Sequence, residues 1–395
     1  MGPTPVVTFS HKSARALTTA ACALALSVGA VAVSPSSARA DDTITTQDYF
    51  SYYKLDQARA KGYTGQGVTI AMVDGPVDTS APELAGVNIT VKTPCEYEAS
   101  QASRTHATAI ASILVSKNYG VAPDATLIAY SMPSEGEKVS DECKKDGSGL
   151  KRTASAQFEM AMNDGAQIIS YSSSDRNHNS KELKWAIARA IAQGVIIVGP
   201  IGNDAKDEND ESVAWWSGTV GVSAIDASGQ LASYSSWGQG VVVAGIGGPV
   251  KARDYEAGGV KDMQGTSFAT PVVAGQIALA RSRWPQATPN QILQSVTHNG
   301  SNNGAWNQYT GYGALSVDGL LGSDPSQYPD ENPLADKGGG STPTPADIQQ
   351  YLDGLVGIGE IRFDDSYVYR GLDEEATVRE GVNAHIGTSP AYHRK

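Results

Sequence analysis

The chain has 395 residues, a formal net charge of −12 at pH 7, and ordinary apolar (40%) and charged (18%) fractions. Its length suits one large domain with an appendage, or two domains. The acidic balance disfavours nucleic acid and anionic lipid as partners. We therefore expect neither partner, and we expect a monomer.

The first forty residues differ from the rest of the chain. A basic start with Lys12 and Arg15 precedes an apolar run over 16–33 and the small-residue exit Ser37-Ala38-Arg39-Ala40. This order is typical of a secretory signal peptide, cut here after Ala40. The alternative is a membrane anchor, but polar residues interrupt the run and it is close to the shortest possible span. Cleavage would leave an exported, extracellular protein without membrane contact, and its net charge would be −15 because residues 1–40 carry three basic residues and no acid.

Cysteine usage fits the same compartment. Cys22 leaves with the signal peptide, whereas Cys95 and Cys143 remain as an even pair. An oxidising compartment favours one disulfide between them over two unpaired thiols. On the chain-entropy model, closing a loop of about fifty residues adds roughly 4 kcal/mol of stability, and His106 lies within that loop.

Short apolar runs alternate with helical patterns along the middle of the chain. Val68–Val73 is β-branched, has little polar alternation and leads into Asp74, as expected of a strand covered on both faces. Similar strands are predicted at Gln167–Tyr171, Val195–Gly199 and Val241–Ala244. Helices are predicted at Ala107–Lys117, Ala154–Asn163, Lys181–Gln193, Phe268–Arg283 and Pro289–Val296. This alternation predicts an α/β fold, a three-layer α/β/α domain with a mainly parallel central sheet.

Composition also divides the chain beyond the signal peptide. We expect a short N-terminal extension at 41–60, the main domain at 61–321, a linker rich in Pro, Gly and Ser at 322–345, and a C-terminal tail at 346–395. The tail holds one predicted helix, Ala346–Leu355. Its remainder has too few apolar residues for an independent core.

The most informative stretch is Gly265–Val273, which places Ser267 just before an apolar helical run. A serine hydroxyl becomes a nucleophile only with a base, an orienting acid and oxyanion donors. His106 opens a helical pattern, Asp74 ends a buried strand, and Asn203 follows another strand. The order Asp, His, Ser is one of three chain orders known for this triad.

In this arrangement each residue has a defined role. Asp74 would orient the imidazole, and His106 would take the proton from Ser267 and return it to the leaving amine. Asn203 and the Ser267 backbone N–H would hold the oxyanion. Parallel sheets gather such sites at the carboxyl ends of their strands.

Simpler structural roles remain open for these residues. A lone histidine on an apolar face is usually structural, Ser267 can be a helix cap, and Asn203 can be a turn residue. Asp78 competes with Asp74 as the orienting acid. Because Asp74 directly follows the strand, Asp78 is interpreted as a turn residue.

At these residues the chain resembles a subtilisin-like serine protease of the subtilase family, over about residues 52–320. Val68–Asp78 resembles the family's aspartate strand, and His106–Leu114 its His-Gly-Thr-His-Val-Ala-Gly helix start. Val198–Asn203 resembles its oxyanion segment. Gly265–Pro271 matches its Gly-Thr-Ser-Met-Ala-Thr-Pro block except at Phe268. The resemblance implies a serine endopeptidase that cleaves polypeptides through an acyl-enzyme.

Three departures from the family pattern concern the cleft. Gly75-Pro76 replaces Thr-Gly after the aspartate, which predicts a possible shift of Asp74. Ser172-Ser173-Ser174 replaces Ser-Leu-Gly in the segment that pairs with substrate as an added strand, so these serines are the predicted substrate-binding residues. Pro200-Ile201 replaces small alanines and is expected to narrow the adjoining pocket.

The sequence therefore predicts an exported serine endopeptidase with a polypeptide substrate, and the serine-rich edge favours dedicated processing over nutritional degradation. The alternative is a non-catalytic peptide-binding relative with a distorted cleft. A serine esterase is a lesser alternative, because its Gly-x-Ser-x-Gly turn is absent around Ser267.

No cofactor is expected. The acidic run between Asp204 and Glu211 suggests a structural calcium site, but no loop spacing supports one, so we expect a solvated charged loop and no metal.

Overall fold

The computed structural model describes residues 43–141, 143, 151–173, 179–207, 212–357, 359–369 and 392–394. The predicted signal peptide at 1–40 lies outside these ranges. Asp41–Lys395 forms one compact unit. None of the helices in the described ranges is both long enough and apolar enough to cross a membrane.

A parallel sheet forms the centre of this unit. In chain order, the described strands are β1 (Thr69–Asp74), β2 (Ile89–Lys92), β3 (Tyr97–Glu98), β4 (Thr126–Ser131), β5 (Lys138–Val139), β6 (Ile168–Tyr171), β7 (Ile196–Pro200), β8 (Val220–Ile225), β9 (Val241–Ile246), β10 (Val250–Arg253), β11 (Val260–Met263), β12 (Tyr367–Tyr369) and β13 (Tyr392–Arg394). Seven of them form the main sheet in the order β2-β4-β1-β6-β7-β8-β9, and every neighbouring pair in it is parallel. The pairs β3–β5, β10–β11 and β12–β13 are antiparallel.

Helices cover both faces of this sheet. The described α-helices are Asp48–Tyr52, Leu55–Ala60, Gln101–Val115, Ala154–Asn163, Lys181–Gln193, Thr266–Arg283, Pro289–His298, Val317–Gly322 and Pro345–Leu352. We call Gln101–Val115 the histidine helix and Thr266–Arg283 the serine helix.

Strand β1 shows how the three layers form. Its alternate residues point to opposite faces, as the two-residue period of a strand requires. Ile70 and Met72 pack in one core cluster with the histidine and serine helices. Ala71 and Val73 pack in a second cluster with the helices Ala154–Asn163 and Lys181–Gln193. The predicted three-layer α/β/α class with a parallel sheet is therefore confirmed.

Three strands of the sheet were not predicted. Strand β2 is an edge strand with two exposed residues, and β4 and β8 mix Thr, Tyr, Ser or Gly with their apolar residues. Neighbouring elements bury β4 and β8, and pairing with β4 holds β2 in the sheet, and an apolar-run criterion detects neither effect.

The predicted start of the histidine helix was wrong. It was placed at Ala107, with His106 in the first turn, but the helix runs from Gln101 to Val115 and His106 lies in its second turn. Ser100 caps the helix, since its Oγ accepts a hydrogen bond from the Ser103 N–H at 3.0 Å. The polar stretch before His106 has no apolar periodicity and so concealed the first turn.

The composition of 322–345 predicted a linker, and the structure corrects this view. Leu334 is 4% exposed and Ser341 is 7% exposed. The Ser341 Oγ lies 3.0 Å from the Ser217 Oγ. Lys337 Nζ donates to the Ala214 carbonyl at 2.6 Å. The segment is therefore packed along the domain.

The tail beyond this segment also packs against the domain. Its helix, Pro345–Leu352, begins after Thr344, whose side chain caps it. Tyr351 and Ile361 form a buried cluster with Trp185 of the main domain. The tail thus needs no core of its own, because it shares one with the helix Lys181–Gln193.

Candidate active site

Three of the predicted site residues follow strands of the main sheet. Asp74 ends β1, Ser172 follows β6, and Asn203 comes shortly after β7. The strands are parallel, so their carboxyl ends meet at the same edge. A cavity of about 380 Å³ opens there and is lined by these three residues together with His106 and Ser267.

Ser267 is the second residue of the serine helix. At this position a backbone N–H has no partner within the helix. The Ser267 N–H accordingly has no acceptor among the described residues. Gly265, just before the helix, leaves room in front of the hydroxyl, because a Cβ there would lie 3.1 Å from the Ser267 Oγ.

The structure brings the carboxylate, imidazole and hydroxyl into one line. Asp74 Oδ1 lies 2.9 Å from His106 Nδ1. His106 Nε2 lies 2.9 Å from Ser267 Oγ. These are hydrogen-bond distances suited to proton transfer from an alcohol to an imidazole held by a carboxylate.

Gly75-Pro76 does not move Asp74 out of this line. The Gly75 N–H donates to Asp74 Oδ1 at 2.7 Å. A Cβ on Gly75 would lie 2.2 Å from the Ser103 Oγ, so only glycine permits the histidine helix to approach this closely. Asp74 Oδ2 is buried and accepts no hydrogen bond from the described residues, which leaves the orientation of the carboxylate to Gly75 and His106.

The surroundings of His106 favour its charged form. Burial alone would lower its pKa, but the Coulombic attraction of Asp74 and its hydrogen bond outweigh this and hold the pKa of His106 above its ordinary value. The side chain keeps 24% of its surface exposed, while that of Asp74 keeps 5%. The ring can therefore meet a substrate on one side and a shielded carboxylate on the other.

The amide of Asn203 is fixed by Thr266. Asn203 Oδ1 accepts from the Thr266 N–H at 2.7 Å and lies 3.0 Å from the Thr266 Oγ1. The network thus assigns the oxygen, and Nδ2 is the end left to donate. Nδ2 has no acceptor among the described residues, and a Cβ on Gly265 would lie 3.5 Å from it. Thr266 was missed in the sequence, although it directly precedes Ser267.

Serine hydroxyls line the wall of the same cavity. Ser172 and Ser173 both contribute, whereas Ser174 lies outside the described residues. Ser212 contributes as well, and nothing in the sequence indicated it. The Oγ atoms of Ser172 and Ser212 are buried without a hydrogen-bond partner in the described part of the chain. Pro200-Ile201 forms another part of the wall.

Three further residues that the sequence singled out do not line the cavity. Cys95 and Cys143 form a disulfide with a Cα–Cα distance of 5.5 Å. Asp78, the competing acid, accepts from the Tyr255 hydroxyl at 2.7 Å and from the Ser80 N–H, as a turn residue does.

The described residues contain no candidate metal site. No group of three or more His, Cys, Asp or Glu residues there could hold a metal ion. The second half of the acidic run, 208–211, lies outside the described ranges.

The chain is similar to known proteins of one family. Residues 65–313 match the family model described as the subtilase family. A thermostable alkaline protease of Halalkalibacterium halodurans is 31% identical over 279 residues, which cover 69% of this chain and 70% of that protein. Subtilisin E of Bacillus subtilis is 29% identical over 250 residues, which cover 61% of this chain and 62% of that protein.

Solved structures show the same fold. The crystal structure of MycP1 from the ESX-1 type VII secretion system aligns with a TM-score of 0.60 and 22% identity, covering 73% of this chain and 88% of that one. The prenylagaramide maturation protease PagA aligns with a TM-score of 0.54 and 24% identity, covering 68% and 97%.

The chain belongs to the subtilase family. Its curated relatives are serine endopeptidases, and by this membership the chain is a serine-type endopeptidase that acts on polypeptides.

Proposed function

We propose that this protein is an exported endopeptidase in which Ser267 attacks the peptide carbonyl, His106 is the general base and acid, and Asp74 orients His106. The line from Asp74 Oδ1 through His106 to Ser267 Oγ, with both distances at 2.9 Å, carries this proposal. Acylation of Ser267 releases the amine product, and water then hydrolyses the acyl-enzyme. Apart from the substrate and water, these steps need only the side chains of Asp74, His106 and Ser267.

The proposed oxyanion donors are Asn203 Nδ2 and the Ser267 N–H. Neither donor has an acceptor among the described residues, both residues line the same cavity, and Gly265 keeps the space between them open. Donors that are already in place before the reaction stabilise the developing charge without reorganisation.

Substrate would pair with the segment Ser172-Ser173-Ser174 as an added strand. The side chain before the cleaved bond would then enter a cavity whose wall includes the hydroxyls of Ser172 and Ser212, which have no hydrogen-bond partner among the described residues. A buried hydroxyl without a partner favours a group that can hydrogen-bond to it. This supports a narrow preference for polar residues, and hence a processing role rather than general degradation.

Export is supported by the signal-like pattern of residues 1–40 and by the disulfide Cys95–Cys143, which needs an oxidising compartment. Expression with the native leader, followed by N-terminal sequencing of the medium fraction, tests this. We expect a mature N-terminus at Asp41.

The chemistry is tested with a fluorophosphonate label and with casein turnover. We expect the label on Ser267 and no turnover by the Ser267→Ala variant. A protein that binds peptides, takes no label and gives the same casein trace as Ser267→Ala would instead be a non-catalytic relative.

A further inference from the structure

A second cavity, of about 400 Å³, adjoins the catalytic one. Both are lined by Met132, Ser134 and Ser173, so they share a wall at the edge where substrate is proposed to pair. The far wall of the second cavity is formed by residues 359–363 of the tail. This part of the tail lies beyond residues 65–313, the region that matches the family model.

Glu159 is a buried lining residue of the second cavity. It belongs to the helix Ala154–Asn163 and is only 2% exposed. Its Oε2 accepts from the Phe363 N–H at 2.7 Å, which ties the tail to the helix. Its Oε1 accepts no hydrogen bond from any described residue, and Glu159 lines the cavity. A carboxylate that lines a cavity with one oxygen free of donors from the described residues can accept a hydrogen bond from a ligand there.

The charges around Glu159 compensate its carboxylate only in part. Arg189 is the nearest buried cation, but it pairs with Asp364, with Nη1 and Oδ1 3.1 Å apart. Arg152 and Arg362 also line the cavity, but both are exposed and their long side chains can turn into water. Three more carboxylates line the cavity: Glu135, Glu182 and Glu360.

We propose that this second cavity binds a cationic side chain, Lys or Arg, of the polypeptide substrate, with Glu159 Oε1 accepting its hydrogen bond. The inference rests on the proposed endopeptidase function. The cation would belong to a substrate residue on the N-terminal side of the cleaved bond. This residue would lie farther from that bond than the residue whose side chain enters the catalytic cavity. Hydrogen bonds between a cation and a carboxylate are stronger than hydrogen bonds between two neutral groups. They discriminate against neutral analogues of Lys and Arg, because such an analogue leaves the carboxylate without a partner.

The titration of Glu159 supports this placement. Burial is the largest cause, and together with the charges of Asp364 and Glu182 it outweighs the Phe363 hydrogen bond and Arg189, raising the pKa of Glu159 to about 8. A cation in the cavity favours the ionised form, so its binding strengthens as the pH rises through this range.

The test uses the full mature chain and a library of internally quenched peptides. Arg, Lys, citrulline, norleucine and Glu are placed in turn at each of the positions before the cleaved bond. We expect one position beyond the first where Arg and Lys exceed citrulline and norleucine by about tenfold in kcat/KM. Equal rates for Arg and citrulline at every such position overturn the proposal, and a preference for Glu would assign the cavity to Arg152 and Arg362 instead.

Glu159→Gln is the matched variant, because its amide oxygen can still accept from the Phe363 N–H. We expect it to lose the preference for Arg over citrulline, measured as the ratio of the two kcat/KM values. The control, Glu135→Gln, changes an exposed carboxylate of the same cavity whose charge is not among those acting on Glu159, and it should retain the preference. In the wild type, the ratio of kcat/KM for the Arg peptide to kcat/KM for the citrulline peptide should grow between pH 6.5 and 9. In Glu159→Gln this ratio should not change with pH. A ratio that is independent of pH in both proteins contradicts the role of Glu159.

Binding separates this proposal from the catalytic one. The Ser267→Ala variant is titrated with the same Arg and citrulline peptides by fluorescence anisotropy. Tighter binding of the Arg peptide supports the cation site even if the wild type cleaves nothing. Cleavage by the wild type with equal binding of both peptides rejects the cation site and leaves the endopeptidase proposal intact.

Discussion

The ring of Phe268 meets the ring of His106 at an edge, with centroids 5.0 Å apart and planes inclined by 63°. Phe268 directly follows Ser267 and is 1% exposed. The residue next to the proposed nucleophile therefore also supports the proposed base. This is the position where the chain departs from the Met of the family's serine block.

Replacing Phe268 should loosen His106 without removing any reacting group. An edge contact between aromatic rings contributes about 0.5–1.5 kcal/mol, so we expect Phe268→Ala to lower kcat/KM up to roughly tenfold per titrated active site. Phe268→Met, which nearly conserves volume, should lose less. Phe268 is a positioning residue in this view, so the pH midpoint of kcat/KM should shift in Phe268→Ala. An unchanged midpoint and rate would show that the ring serves packing alone.

The pH dependence of activity should follow His106. The base must be neutral to accept the Ser267 proton, and Asp74 holds the pKa of His106 above its ordinary value. We therefore expect kcat/KM to rise with pH through a midpoint above about 6.5. Asp74→Asn removes the attraction, so the midpoint should fall, and the rate should drop by about 10⁴, as the same substitution does in another serine protease. Stopped assays from pH 5 to 9 measure both.

Two separate variants test the proposed oxyanion donors. Asn203→Ala should lower kcat by about 10²–10³ with little change in KM, the range known for such a donor in a subtilisin. Gly265→Ala should also lower kcat, because its Cβ would stand 3.1 Å from Ser267 Oγ and 3.5 Å from Asn203 Nδ2. Circular dichroism and thermal unfolding serve as controls for folding. If Gly265→Ala kept the wild-type kcat, the oxyanion could not lie between Ser267 and Asn203 Nδ2 as proposed.

Lys337 should make the stability of the domain depend on pH. Its Nζ donates to the Ala214 and Gly240 carbonyls and lies near Thr219 Oγ1, and burial lowers its pKa to about 7. The unfolded chain keeps the proton up to its ordinary pKa of 10.5. Between these values the unfolded state binds more protons, so the free energy of unfolding should rise with pH from about 7 to 10.

Urea unfolding in a Ser267→Ala background, which prevents self-digestion, measures this slope. Lys337→Met should abolish the contribution of this residue to the slope, because methionine does not titrate. Lys138→Met, at a side chain that is 75% exposed, is the control and should leave the curve unchanged. Equal slopes in the wild type and Lys337→Met would contradict the lowered pKa.

The disulfide should contribute to stability more than to chemistry. Cys95 and Cys143 are 48 residues apart in sequence, so on the chain-entropy model their bond adds roughly 4 kcal/mol. We expect the double variant with Ser at both positions to unfold at a lower temperature and to retain kcat/KM well below that temperature. A large loss of kcat/KM in a folded variant would show that the bond positions the cleft.

Much of this protein could be predicted from its sequence because the signals are local. Apolar runs placed β1, β6, β7 and β9, and the serine block placed the start of the serine helix to within a residue or two. Asp74, His106, Ser267 and Asn203 were chosen from their positions beside these elements. Strand periodicity and helix-start chemistry act over a few residues, so they can be detected without knowledge of the rest of the chain.

Other features depend on residues far apart in the chain. The Thr266 contact with Asn203, the hydroxyl of Ser212 in the cavity wall and the tail beside Glu159 all arise from contacts that sequence spacing does not encode. The linker-like composition of 322–345 likewise concealed a packed segment. The sequence by itself determined the fold class and indicated the chemical groups of the proposed site. Only the tertiary structure decided which buried oxygens lack partners, because desolvation and hydrogen bonding depend on every segment that packs around an atom.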